Sequence, residues 1–280
     1  MQISGKPSTT TWSERQLVRD GVRLVCRDWG GGGQPLLLLH GLAGCAGEWD
    51  AVARRLSPRF RVLALDQRGH GSSERLPGDV SRGACVADVV AVLDELGLES
   101  AVLVGQSLGG HTAMLTAAAH PDRVRGLVLV EAGAGGPSPG VEVRIGGWLD
   151  SWPTPFATRD TAVQFLGGGP VGEGWAAGLE ERDGGWWPRF DRDVMVRSIT
   201  ELGQRSFWGE WERVVGPTLV VLAQSGFIPP EEADEMFRRR PATEGMSVPG
   251  TGHDLHLERP DVLCAGLVDF LSGSVDGRGD

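Results

Sequence analysis

The sequence predicts an α/β protein with a mostly parallel central sheet of about eight strands, helices on both faces and an inserted, mainly helical cap. Three observations predict it. Short apolar runs alternate with helix-forming stretches from residue 22 to residue 131, the rhythm of strands joined by crossover helices. That rhythm breaks between residues 134 and 211, where Gly, Pro and Trp accumulate, including seven of the ten tryptophans. It resumes at residue 217 and runs to residue 271.

Each element has its own signal. Residues 22–29 read as an edge strand followed by a flexible glycine turn at 30–33. Leu36-Leu37-Leu38-Leu39 is a continuous apolar run ending at His40-Gly41, as a strand buried on both faces should read. A helix is expected over 48–56 and a strand over 61–65, ending at Asp66. Residues 80–96 form a long helix stopped by Gly97. Residues 101–105 are the next strand. A helix follows over 108–120, with Pro121 just past its end. Residues 125–130 are another strand, ending at Glu131. After the insertion come a strand at 217–223, a helix at 230–240, a strand at 245–248, a loop holding His253 and a closing helix at 260–271. The chain therefore divides into a first core part (1–133), a Trp-rich helical cap or lid (134–212), a second core part (213–272) and a disordered tail (273–280).

Composition excludes several classes. At 280 residues the chain buries a sizeable core without disulfides or metals. A net charge of −10 argues against nucleic acid and anionic membranes, which attract basic patches. Cys26, Cys45, Cys85 and Cys264 are widely spaced, so neither a zinc site nor a disulfide framework is signalled, and buried free thiols are expected. Residues 1–11 lack the apolar core of a signal peptide, and no apolar run approaches the roughly 20 residues of a membrane span. A cytoplasmic protein acting on a small molecule, without metal or cofactor, is the expectation.

The chemistry is signalled by Gly105-Gln106-Ser107-Leu108-Gly109. G-x-S-x-G between an apolar strand and a helix is the pattern of a nucleophile elbow, where the serine hydroxyl projects at the strand end with a helix N-terminus behind it. The flanking glycines keep side chains out of the crossing between strand and helix. Three further stretches occur in order around it: His40-Gly41-Leu42-Ala43-Gly44, Asp66-Gln67-Arg68-Gly69-His70-Gly71-Ser72-Ser73 and Pro249-Gly250-Thr251-Gly252-His253.

With these four stretches the chain, from residue 15 to residue 271, resembles the α/β-hydrolase superfamily, specifically its small capped bacterial serine hydrolases of esterase or lactonase type. The resemblance implies that Ser107 is the nucleophile and His253 the general base. It implies an oxyanion hole made by the backbone N–H groups of Leu42 and Leu108. His40 and His70 are structural in related proteins, His111 and His120 read as helix-face residues, and His256 is the rival base. Ser107 separates the chain from relatives with an elbow aspartate, which the resemblance links to dehalogenases and epoxide hydrolases. The acid departs from the usual pattern. Relatives commonly carry it after the strand matching 218–223, but that turn reads Ala223-Gln224-Ser225-Gly226-Phe227. Glu131 stands where some family members place their acid instead. Glu231 and Glu232 open a helix, where interaction with the helix dipole suffices to explain them. Asp254 should point away from His253, Asp66 reads as a structural turn acid, and a Ser–His dyad is the remaining alternative.

The leading expectation is a cofactor-independent serine hydrolase acting on a carboxylic ester, lactone or similar acyl substrate, bulky and apolar or aromatic to match the tryptophan-rich cap. Carbon–carbon hydrolysis of a diketone-like compound and a haloperoxidase-like side activity are enzymatic alternatives. The rival from another class is a non-catalytic ligand receptor, favoured only by the missing acid in the 224–227 turn. Oligomeric state leaves no trace in the sequence.

Overall fold

The computed structural model describes residues 12–135 and 138–275. Strands β1 (Ser13–Arg19) and β2 (Val22–Asp28) form a hairpin at one edge of the sheet. Its two-residue loop, Asp20-Gly21, has positive φ at both positions (49° and 77°), the type I′ geometry that matches strand twist. The edge strand is therefore β1. Residues 22–28, expected at the edge, lie second in the sheet and pair with both β1 and β4 (Arg61–Asp66).

Strands β3 (Pro35–Leu39), β5 (Ala101–Gln106), β6 (Val124–Val130), β9 (Thr218–Ser225) and β10 (Glu244–Gly252) complete an eight-stranded sheet. Its order is β1-β2-β4-β3-β5-β6-β9-β10, and every pairing from β4 onward is parallel. Helices α1 (Asp50–Leu56), α2 (Arg82–Glu95), α3 (Leu108–Ala119), α10 (Pro230–Arg239), α11 (Leu255–Glu258) and α12 (Pro260–Phe270) surround it. Strand alternation divides the core in two. Leu37, Leu39, Leu63, Leu103 and Leu129 pack with Val89, Val92 and Met114 of α2 and α3 on one face. Leu36, Leu38, Val62, Val104 and Val128 pack with Val52, Leu263 and Leu267 of α1 and α12 on the other. Burial on both faces is why these strands read as unbroken apolar runs.

The segment between β6 and β9 holds α4 (Val141–Asp150), α5 (Arg159–Phe165), α6 (Gly169–Ala176), α7 (Arg192–Ser198), α8 (Thr200–Gln204) and α9 (Trp208–Arg213). It also holds an antiparallel hairpin, β7 (Leu179–Arg182) with β8 (Gly185–Pro188), which the sequence reading did not anticipate. Residues 273–275, expected in the tail, are part of a helical turn. This turn, Leu271–Val275, continues from α12, and Leu271 and Val275 are buried against the core. Residues 276–280 of the expected tail, and the polar stretch 1–11, lie outside the described residues. All four cysteines are free and buried.

Candidate active site

Ser107 sits between β5 and α3 with φ 49° and ψ −118°, a backbone conformation that costs a residue with a side chain and persists only where its surroundings impose it. The surroundings here are tight. A methyl at Gly105 would collide with the Gly109 carbonyl, at Gly109 with the carbonyls of Leu39 and His40, and at Gly110 with Ala132. Strand, turn and helix thus cross at backbone contact, and half-buried Ser107 is held at the C-terminal end of β5. Its own N–H donates to Val130 O at 3.0 Å. Leu108 begins α3, so its N–H is one of those that a helix leaves without an intrahelical partner.

The second expected oxyanion donor, Leu42, lies in the loop after β3. Gly41 brings that loop against the elbow: a Cβ there would overlap the Gln106 side-chain amide and lie 3.4 Å from Ser107 Cβ. Ala43, at φ 63°, turns the chain beyond it. The loop is fastened from beneath by His40. Its Nε2 accepts from Gln67 N at 3.0 Å and its Nδ1 donates to Gly41 O at 2.7 Å, while Gln67 Nε2 donates to His40 O at 2.6 Å. Burial lowers His40 to about 4, so the ring is neutral and structural. Burial likewise lowers His70 to about 3. His111 is buried edge-on against Phe207, with ring centroids 4.3 Å apart.

His253 follows β10 immediately. Its Nδ1 lies 3.5 Å from Glu131 Oε2, the imidazole being 19% exposed and the carboxylate 1%. Glu131, at φ 48°, directly follows β6. Its Oε1 accepts from Ala223 N at 2.6 Å and its Oε2 from Phe227 N at 2.9 Å. Gly226 makes this possible, because a Cβ there would occupy the position of the Glu131 carboxyl group. The carboxylate thus fills the turn after β9 that carries no acid of its own. Gln106, beside Ser107, donates from Nε2 to His253 O at 3.1 Å and ties the elbow to the histidine loop.

The rivals lie elsewhere. His256 is fully buried, with its ring 4.8 Å from Trp49 and its Nε2 3.6 Å from Glu48 Oε2, and burial lowers it to about 4. Asp66 accepts from Ala46 N and Ser72 N at 2.6 and 2.9 Å, as a turn acid does. Asp254 is directed to the insertion, where Trp175 Nε1 donates to its Oδ2 at 3.1 Å. Glu232 does more than open a helix: its Oε1 accepts from Gly135 N at 2.7 Å, fastening the chain just past Glu131 to α10.

A half-buried histidine facing a buried carboxylate, beside a strained serine elbow, is met by an independent likeness. The sequence profile of the Alpha/beta hydrolase family matches residues 36–265. The chain belongs to the alpha/beta hydrolase family. This hydrolase is 30% identical over 253 residues to sn-1-specific diacylglycerol lipase ABHD11 of Mus musculus, a match covering 85% of this chain and 80% of that protein. It is 39% identical over 129 residues to 2-hydroxy-6-oxononadienedioate/2-hydroxy-6-oxononatrienedioate hydrolase of Cupriavidus pinatubonensis, covering 43% of this chain and 45% of that protein. In fold it resembles E-2-(acetamidomethylene)succinate hydrolase, with a TM-score of 0.86 at 23% identity over 94% of this chain and 100% of that one.

In the hydrolase, the insertion packs directly on the site loops. Val194 and Met195 of α7, with Leu149 of α4, form one buried cluster with Ala43, against which Leu42, Trp175 and Phe190 also pack. Polar contacts hold the same junction: Arg75 with Glu180 at 2.6 Å, and Arg189 with Ser72 Oγ at 3.2 Å. Around Trp175 the walls are aromatic, with Trp148 and Trp152 at centroid distances of 5.8 and 6.1 Å. Beneath Asp254, Glu48 is buried, and burial raises its carboxyl well above the usual range, Asp254 adding to the effect. Among the described residues no group of three or more His, Cys, Asp or Glu could hold a metal ion, and no helix is long and apolar enough to cross a membrane.

Proposed function

We propose that the protein is a cofactor-independent serine hydrolase that cleaves a carboxylic ester, lactone or similar acyl substrate through an acyl-enzyme on Ser107. The observation that carries this reading is the Glu131 carboxylate, buried, held by two backbone N–H groups and facing His253 Nδ1 at 3.5 Å. An acid on Nδ1 fixes the tautomer whose Nε2 is free to accept a proton, and it stabilises the imidazolium that forms. A pair of this kind at 3.5 Å tightens when substrate and charge arrive.

In this reading Ser107 Oγ attacks the acyl carbon and its proton passes to His253 Nε2. The N–H groups of Leu42 and Leu108 receive the oxyanion. Losing one such donor typically costs a hundredfold or more in rate. The tetrahedral intermediate collapses, the acyl–oxygen bond breaks, and the leaving oxygen takes the proton from Nε2. Water, deprotonated by the same imidazole, then releases the acid and frees Ser107. The segment 134–212 acts as a cap between the core parts 1–133 and 213–272, and its tryptophans supply an apolar wall suited to a bulky or aromatic acyl group. The likeness to a diacylglycerol lipase supports ester chemistry. Likeness over 129 residues to a hydrolase of a 2-hydroxy-6-oxo dienedioate favours carbon–carbon cleavage as the second reading.

The test is Ser107→Ala on an ester that the wild type cleaves. Turnover is expected to drop to background with the circular dichroism spectrum unchanged, and retained turnover sinks the acyl-enzyme. Product analysis on a matched ester and vinylogous diketone separates the two readings.

A further inference from the structure

Phe227 does two things in one residue. Its backbone N–H donates to Glu131 Oε2 at 2.9 Å, and its ring stacks on the His253 imidazole, with centroids 4.3 Å apart and planes 26° apart. The backbone bond explains the turn, because any residue there supplies it. It does not explain the ring, which is 76% exposed. One of its faces covers the imidazole, and most of its surface is exposed beside His253.

The position of that ring is fixed relative to the chemistry. Nδ1 faces Glu131, so Nε2 is the nitrogen that exchanges protons with the substrate. On the reading above, acylation forms the bond from Ser107 Oγ to the acyl carbon and breaks the bond from that carbon to the leaving oxygen. The serine proton travels through Nε2 onto the leaving oxygen. That oxygen must therefore come within hydrogen-bond reach of Nε2, and the group it carries is brought alongside whatever flanks the imidazole. On the same reading the acyl part, bound covalently to Ser107, is left to the insertion, whose apolar side chains cluster with Leu42 and Ala43.

We infer that the exposed ring of Phe227 forms a leaving-group subsite that selects substrates whose departing alcohol carries an aromatic or large apolar group. The inference rests on the acyl-enzyme reading of Ser107 and goes beyond it by dividing substrate recognition between two places. The insertion recognises the acid part, and Phe227 recognises the alcohol part. Offset or edge-on contact with a phenyl ring is worth about tenfold in binding or rate.

The test compares benzyl and methyl esters of one acid that the enzyme accepts. Both pass through the same acyl-enzyme, and the two alcohols have similar basicity. In Phe227→Ala the ratio of kcat/KM for benzyl over methyl is expected to fall about tenfold, while Phe227→Trp keeps the preference. The backbone N–H to Glu131 survives both changes. Acid-part selectivity, read with two methyl esters of different acids, is expected to stay constant. A benzyl-to-methyl ratio unchanged in Phe227→Ala overturns the subsite, as does an equal loss for both esters, which would leave the ring only a support for His253. Absence of a fluorophosphonate adduct on Ser107 in the folded wild type defeats the acyl-enzyme reading instead, and is scored separately.

Discussion

Gly226 and Glu131 work as a pair. The glycine leaves open the space that a side chain would fill, and the glutamate reaches across from the neighbouring strand to use it. The sequence carried half of this: an acid missing from 224–227, and a carboxylate at the end of the adjacent strand. The other half was silent, because a backbone N–H that receives a carboxylate leaves no mark on residue identity. Gly226→Ala is therefore expected to act on both the chemistry and the fold. The added methyl meets the movable end of a side chain and pushes the carboxylate away from His253. Activity should fall at least tenfold, with urea denaturation showing a loss of about 1–3 kcal/mol; full activity in that variant would mean that the seat is not needed. Gln106 and Phe227 were missed for a different reason. Gln106 was read as the variable position of the elbow, and nothing in the sequence indicates that its amide spans to His253 O.

At the level of elements, legibility followed burial. Strands β3, β4, β5 and β6 were readable because each is covered on both faces, so the two-residue alternation fills in to a continuous apolar run. Strand β1 went unread because it is largely exposed and polar. The Asp20-Gly21 pair was nevertheless a hairpin signal in plain view. In the insertion, tryptophan content marked an aromatic layer but could not give the β7–β8 hairpin, whose strands are four residues each. Of the directional contacts that join the insertion to the core, the Trp175 Nε1 bond to Asp254 lies closest in sequence to His253. Trp175→Phe keeps the aromatic packing and removes only the donor. A loss of about 1–2 kcal/mol in equilibrium unfolding is expected, and an unchanged denaturation midpoint would show that the bond holds nothing.

For the whole molecule, several buried titratable groups make stability depend on pH in opposing directions. His40, His70 and His256 are lowered from 6.5 to about 4, 3 and 4 by burial. Their stabilising neutral state is fully in place above pH 6.5, where the unfolded chain is also neutral. It is lost as pH falls from 6.5 toward 4, because the unfolded chain then binds protons first. Glu48 is raised well above 4.5 by burial, so its contribution is complete below pH 4.5 and declines as pH rises toward its folded value. The melting temperature is thus expected to fall between pH 6.5 and pH 4. Glu48→Gln should raise it by an amount that grows as pH rises above 4.5, and a pH-independent effect of that substitution would contradict a carboxyl raised by burial. The fold was legible almost throughout, since strand–helix rhythm and four motifs are local patterns. In the candidate site, Ser107 and His253 were proposed from their own motifs, whereas the proposed acid depends on which strand lies beside which. That relation between Ser107, His253 and Glu131 is also the most directly testable. Phosphonylation by a fluorophosphonate, mapped by peptide mass spectrometry and timed in wild type and Glu131→Gln, reads both ends of it. The expected result is an adduct on Ser107 that forms at least a hundredfold more slowly in Glu131→Gln; no adduct in the folded wild type, or equal rates in the two proteins, would contradict it.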